Sequence, residues 1–133
     1  MEKIERIIWN GSVKVYIIRS AYNPVRTSFA SPQTANLQVG HIVYPAGSVV
    51  PKHLHKKIIR RLDRTEEVLI VKKGSCFLDI YNERKKLVVT RKVRRGDIII
   101  IVGGGHGFRV LKDLILLEIK QGPYTGIEEK ERF

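Results

Sequence analysis

The sequence predicts an all-β protein, and three observations carry that prediction. Short apolar runs rich in Ile, Val, Leu and Tyr recur along the chain, turn residues separate them, and no stretch keeps an amphipathic helical period over three or more turns. Strands are expected at 13–18, 37–44, 67–71, 76–81, 87–93, 98–102, 108–111 and 114–120. Between them, Lys73-Gly74-Ser75, residues 82–86, Arg94-Arg95-Gly96-Asp97, Gly103-Gly104-Gly105 and Lys112-Asp113 carry turn chemistry or local polarity, so hairpins are the expected connectors. Residues 98–102 are apolar at every position, which calls for cover on both faces of the strand. Short strands in this number point to a sandwich or jelly roll.

A chain of 133 residues can bury most of its apolar surface around one core, so a single domain over 1–133 is expected, its core at about 37–120. Residues 1–6 and 126–133 are expected to lie outside the barrel, with 128–132 a final helical turn or a frayed end. No apolar run approaches the roughly 20 residues of a membrane-spanning helix. Charges of both signs in Met1-Glu2-Lys3-Ile4-Glu5-Arg6 do not resemble a secretory signal, so a cytoplasmic place is expected and no membrane partner. The single cysteine, Cys76, excludes an internal disulfide and reads as a buried strand residue.

The net charge of +12 is concentrated in two segments. Residues 52–64 hold Lys52, Lys56, Lys57, Arg60, Arg61 and Arg64 against Asp63 alone, and 84–95 hold seven bases. Such charge serves solubility or attracts a polyanion. The basic runs contain little aromatic interleaving and no helix-turn-helix, zinc-finger or RNP pattern, so nucleic acid is not the expected partner.

Chemistry is suggested first by His53-Leu54-His55, because side chains two apart on an extended strand share a face, so both imidazoles can reach one point. Glu67 opens an expected strand, and alternation sends the adjacent Glu66 to the other face. Here the chain resembles the cupin family. The family's first motif is a glycine, five residues, His-x-His, a short gap, a glutamate, six residues and a glycine. This chain reads Gly47, five residues, His53-Leu54-His55, a longer gap, Glu67, six residues, Gly74. The second motif runs from a glycine through an apolar strand and a Pro-x-Gly turn to a histidine; here Gly96 leads through 98–102 and Gly103-Gly104-Gly105 to His106, without the proline and one residue shorter.

The resemblance covers about 37–120 and implies a double-stranded β-helix whose divalent metal is held by His53, His55, Glu67 and His106. Three imidazoles and a carboxylate suit Zn, Mn, Fe, Ni or Cu, and nothing in the sequence chooses among them. By family analogy a metal-dependent isomerase or epimerase acting on a sugar or nucleotide-sugar is expected; an Fe-dependent dioxygenase and a non-catalytic module for a metal or small ligand are the alternatives. The eleven residues between His55 and Glu67 form a basic insertion whose Arg60, Arg61 and Arg64 are expected at the barrel mouth against an anionic or phosphorylated ligand. Phe108, Lys120 and Tyr124 complete the expected substrate-binding set, whereas His41 is read as a structural histidine. A homodimer is expected, because strands such as 98–102 and 114–119 would leave apolar surface to cover.

Overall fold

The computed structural model describes residues 3–123 and 125–133. Its strands are β1 (Ile4–Trp9), β2 (Ser12–Ile18), β3 (Ser28–Phe29), β4 (Gly40–His41), β5 (Glu67–Tyr81), β6 (Leu87–Arg94), β7 (Ile98–Ile101) and β8 (Gly105–Lys120). A single 3-10 turn at Gly126–Glu129 follows, and no α-helix occurs among the described residues. No helix is long and apolar enough to cross a membrane. The fold is therefore all-β, a curled antiparallel sheet in the order β1-β2-β7-β5-β6 with β8 also on β5, plus the two-stranded β3-β4 ribbon.

The curl comes from two long strands that bend together. The sequence suggested hairpin turns at Lys73-Gly74-Ser75 and Lys112-Asp113; instead β5 and β8 run straight through both places, and the register shifts between Val71 and Cys76. Gly74 has φ +80, and a Cβ there would collide with the carbonyl oxygen of Asp113. The glycine thus permits a bulge at which the two strands approach and bend, and bulges increase twist. Along its first half β5 lies between β7 and β8, and along its second half between β6 and β8. Ile80 is 13 residues from Glu67, a span of roughly 40 Å in a straight strand. Yet His106, the β8 partner of Ile80, comes within 3.6 Å of Glu67. Only a sheet folded back toward itself allows both.

The concave face holds the main core, with Val15, Ile17, Val71, Cys76, Leu78, Ile80, Val93 and Ile99 almost wholly inaccessible. Cys76 is buried, as its strand position suggested. Strand β7 serves both faces: Ile99 and Ile101 enter this core while Ile98 and Ile100 pack outward with Tyr16, Ile18, Val68, Leu37 and Val39. The cover for the outer face of β7 is thus supplied by the chain's own 22–39 segment, so β7 gives no reason for a partner. Strand β8 differs, because it pairs only with β5 and leaves Ile115, Leu117 and Ile119 exposed.

Three expectations need correction at the margins. Of residues 1–6, expected outside the barrel, 4–6 begin β1, which pairs with β2 and packs Ile7 and Trp9 on the main core. The expected strand at 37–44 shrinks to Gly40–His41 paired with Ser28–Phe29, and the half-buried Leu37 and Val39 pack on the outer face from outside any strand. The end of the chain returns to the sheet, where Phe133 meets Tyr81 edge-on and Lys85 pairs with Glu131.

Candidate functional site

The mouth of the curled sheet is a cavity of about 960 Å³ whose lining includes Glu67, Tyr81, His106, Phe108, Glu118 and Lys120. This volume suits a small-molecule ligand. Three elements position its reactive groups. Glu67 begins β5, and Ile101, the last residue of β7, lies directly beside it. The chain then turns through Val102-Gly103-Gly104 and delivers His106 as the second residue of β8. Gly104 has φ +76, and a Cβ there would collide with Trp9 and the Tyr81 carbonyl oxygen, so the turn can be this tight only with glycine. Glu118 and Lys120 come from the far end of β8, where Lys120 pairs with Glu67 and Glu118 with Leu69.

The pair at the centre is Glu67 Oε2 and His106 Nε2, 3.6 Å apart. Burial, and then the negative charge of Glu118, push the Glu67 carboxyl above its ordinary pKa, with Lys120 opposing. Burial, and then the positive charge of Lys130, pull the His106 imidazole below its ordinary value, with Glu118 opposing. Desolvation thus favours the neutral form of both. Phe108 packs edge-on to His106 at 5.7 Å between ring centroids. Lys120 Nζ lies 3.7 Å from Glu118, and Lys130 and Arg132 of the C-terminal segment also line the cavity. The mouth therefore presents four carboxyls, from Glu67, Glu118, Glu129 and Glu131, together with the His106 imidazole and the cations Lys120, Lys130 and Arg132, to one volume.

Glu66 is turned to the opposite face, as alternation requires, and is buried there. Its carboxylate accepts from the Leu37 backbone N–H at 3.0 Å and from Arg64 at 2.9 Å. Arg64 is therefore engaged in holding a buried carboxylate. Arg60 and Arg61 are exposed and, like Arg64, do not line the cavity. His41 packs edge-on against Tyr22 away from the mouth. Tyr124 lies outside the described residues.

Of the four residues expected to hold a metal, the structure brings together Glu67 and His106. His53 and His55 lie in an exposed segment without regular structure, their rings 5.5 Å apart between centroids and His53 Nδ1 2.8 Å from the Pro51 carbonyl oxygen. A protein-held zinc ion, for example, takes three or four protein donors. Among the described residues no group of three or more His, Cys, Asp or Glu is gathered closely enough to hold a metal ion. The structure thus gathers two of the four expected ligands, Glu67 and His106, and leaves His53 and His55 in the exposed segment.

Sequence reasoning did not find Glu118, Tyr81, Lys130, Arg132 or Phe133. Glu118 alternates with Lys120 on the same face of one expected strand, which was a usable signal; the others reach the mouth only through the curl of the sheet and the return of the C-terminus. Comparison of the chain with protein-family models, with curated proteins and with solved structures finds no match.

Proposed function

We propose that this chain is a metal-binding, cupin-type protein that acts on a small polar or anionic molecule, such as a sugar or nucleotide-sugar, at the mouth of the curled sheet. Isomerisation or epimerisation is the reaction class proposed. The observation that carries the reading is the Glu67–His106 pair at 3.6 Å, set in a cavity that also receives Lys120, Lys130 and Arg132. Cations at a partly desolvated wall suit a phosphate or diphosphate through charge-assisted hydrogen bonds. Phe108 and Tyr81 offer apolar ring surface to the rest of a ligand. Glu67 and His106 are the part of the metal centre that the sheet itself supplies.

Calorimetric titration with a nucleoside-diphosphate sugar and with the corresponding free sugar tests the ligand class. The diphosphate should bind more tightly, and the Lys120→Ala, Lys130→Ala variant should lose at least about tenfold of that affinity. Equal affinity for the neutral sugar, or no effect of the two substitutions, would remove the anionic class. Proton NMR in deuterated water then tests turnover: signals of the isomeric or epimeric sugar mark the reaction, and solvent deuterium in the ring marks proton transfer by way of solvent. Binding with no new sugar signals would remove that reaction class.

A further inference from the structure

The segment between the β3-β4 ribbon and β5 carries a pattern of charge and apolar side chains that the sheet does not use. Residues 44–65 are exposed without interruption, and 42–66 contain no strand or helix. A segment this long without structure of its own is uncommon in a compact domain and is usually functional. Its ends are tied down: Val43 N donates to Thr27 Oγ1 at 3.0 Å, and Asn36 Nδ2 donates to the Arg64 carbonyl at 3.1 Å. Between those roots, residues 52–62 hold Lys52, Lys56, Lys57, Arg60 and Arg61 and no acid. None of these five enters a hydrogen bond or ion pair among the described residues, whereas Arg64 is committed to Glu66. Set among the five, Leu54, Ile58 and Ile59 are exposed to 81%, 65% and 90%.

The order of these residues selects the conformation in which they can act together. In an extended strand Lys52, Leu54, Lys56, Ile58, Arg60 and Leu62 share one face, so cations and apolar side chains are mixed. In a helix they separate. Leu54, Ile58 and Leu62 recur four apart, and at about 100° per residue they fill, with Ile59 and His55, one sector about 140° wide, while all five cations fall in the opposite half. The apolar recurrence covers 54–62, under three turns. A helix so short does not hold in water without a surface to pack on, in line with the irregular backbone of the free chain.

That surface must accept apolar side chains from one side and attract cations around them. Nucleic acid answers the cations and leaves Leu54, Ile58 and Leu62 in water. An acidic protein groove answers both but encloses a helix from several sides, which the two roots of the segment on its own sheet hinder. A flat anionic lipid surface answers both from one side: the apolar face enters the headgroup boundary, and the Lys and Arg stems reach the lipid phosphates. We propose that residues 52–62 fold as an amphipathic helix on an anionic bilayer surface and hold the protein there. The lack of an apolar spanning run bears on crossing a bilayer and not on lying in its surface. The proposal is independent of the chemistry at the mouth.

Vesicle flotation of the full chain tests it, with vesicles of phosphatidylcholine alone and with vesicles in which about a third of the lipid is phosphatidylserine. The protein should float with the anionic vesicles only, and most of that binding should be lost as ionic strength rises from about 0.1 M to about 0.5 M. Circular dichroism should gain about ten residues of helix when anionic vesicles are added. Two variants separate the contributions. Leu54→Gln, Ile58→Gln, Leu62→Gln keeps the charge and should lower partitioning at least about tenfold. Lys52→Gln, Lys56→Gln, Lys57→Gln, Arg60→Gln, Arg61→Gln keeps the apolar face and should lower it at least about a hundredfold. All eight side chains are exposed, so both variants should keep the wild-type thermal midpoint. Absence of wild-type protein from the floated anionic vesicles would overturn the proposal. Flotation that brings no helix and that the three apolar substitutions leave unchanged would overturn it too, as adsorption by charge alone. Tighter binding to a DNA or RNA duplex than to the vesicles, insensitive to the apolar substitutions, would overturn it in favour of nucleic acid.

Discussion

Strand β7 and the 44–65 arm are made of similar apolar residues and meet opposite fates. In β7 every isoleucine finds a surface, because β2 and β5 pair its two edges and the 22–39 segment covers its outer face. In the arm Val49, Leu54, Ile58, Ile59 and Leu62 remain in water, interspersed with Lys and Arg and with almost no backbone partner. Apolar content alone therefore does not make a core; the backbone must also be paired, and a complementary face must be at hand. The difference teaches that the sheet is complete as a folding unit while the apolar side chains of the arm find no cover among the described residues.

Substitutions on the two sides should separate sharply. The largest loss is expected for Ile99→Ala, which removes a side chain with no exposure from the centre of the sheet and should cost about 2–5 kcal/mol in denaturant unfolding. A loss below about 1 kcal/mol would mean that the curled sheet is not the cooperative core.

Next comes Gly74→Ala. With φ +80 and the Asp113 carbonyl against the new methyl, about 1–3 kcal/mol of strain is expected, read as a lowered thermal midpoint. An unchanged midpoint would show that the β5–β8 bend does not depend on this bulge.

The sheet should also carry a pH dependence of its own. Asp79 on β5 accepts from Arg109 Nε of β8 at 2.7 Å and from Thr90 Oγ1 of β6 at 2.6 Å, tying three strands together. These bonds, Arg109's first, hold its carboxyl down at about 2. The folded value lies below the unfolded one, near 3.9, so the unfolded chain takes up the proton first. The stabilisation is present above the unfolded value and is lost as pH falls from about 4 toward 2. Urea midpoints measured across that range should fall in wild type and fall less in Asp79→Asn; parallel curves would remove Asp79 from the explanation.

The smallest effect is expected for Ile59→Ala in the arm. In dilute protein it should change unfolding free energy by less than about 0.5 kcal/mol, as surface changes do. A loss as large as that at Ile99 would mean that the arm packs on its own chain.

These contrasts also explain what was legible in the sequence. Period and composition located β2, β6 and β7 well, because each is a short apolar or alternating run between polar breaks. They divided β5 at Gly74, since a glycine at positive φ marks a bulge inside a strand as readily as a turn between strands, and β8 at Lys112-Asp113, where two polar residues inside a strand look like a connection. They missed β1, whose single buried side chain, Ile7, sits among charges. Glu67 and His106 were legible through motif spacing, and the register explains why: Ile101 lies beside Glu67, and a glycine turn carries the next strand to His106. Strand alternation suggested a shared face for His53 and His55, and their placement with Glu67 and His106 was implied by the family resemblance; their segment has no neighbouring strand among the described residues. Tyr81, Lys130, Arg132 and Phe133 carry no local signal, because tertiary curl alone brings them to the mouth.

The most direct measurement is the location of the metal in crystals of Zn2+-supplemented protein, read from anomalous scattering at the zinc edge. Zinc bound by Glu67 and His106 at the mouth of the sheet is the expected result. Zinc on the arm histidines alone, with none at Glu67 and His106, would contradict it.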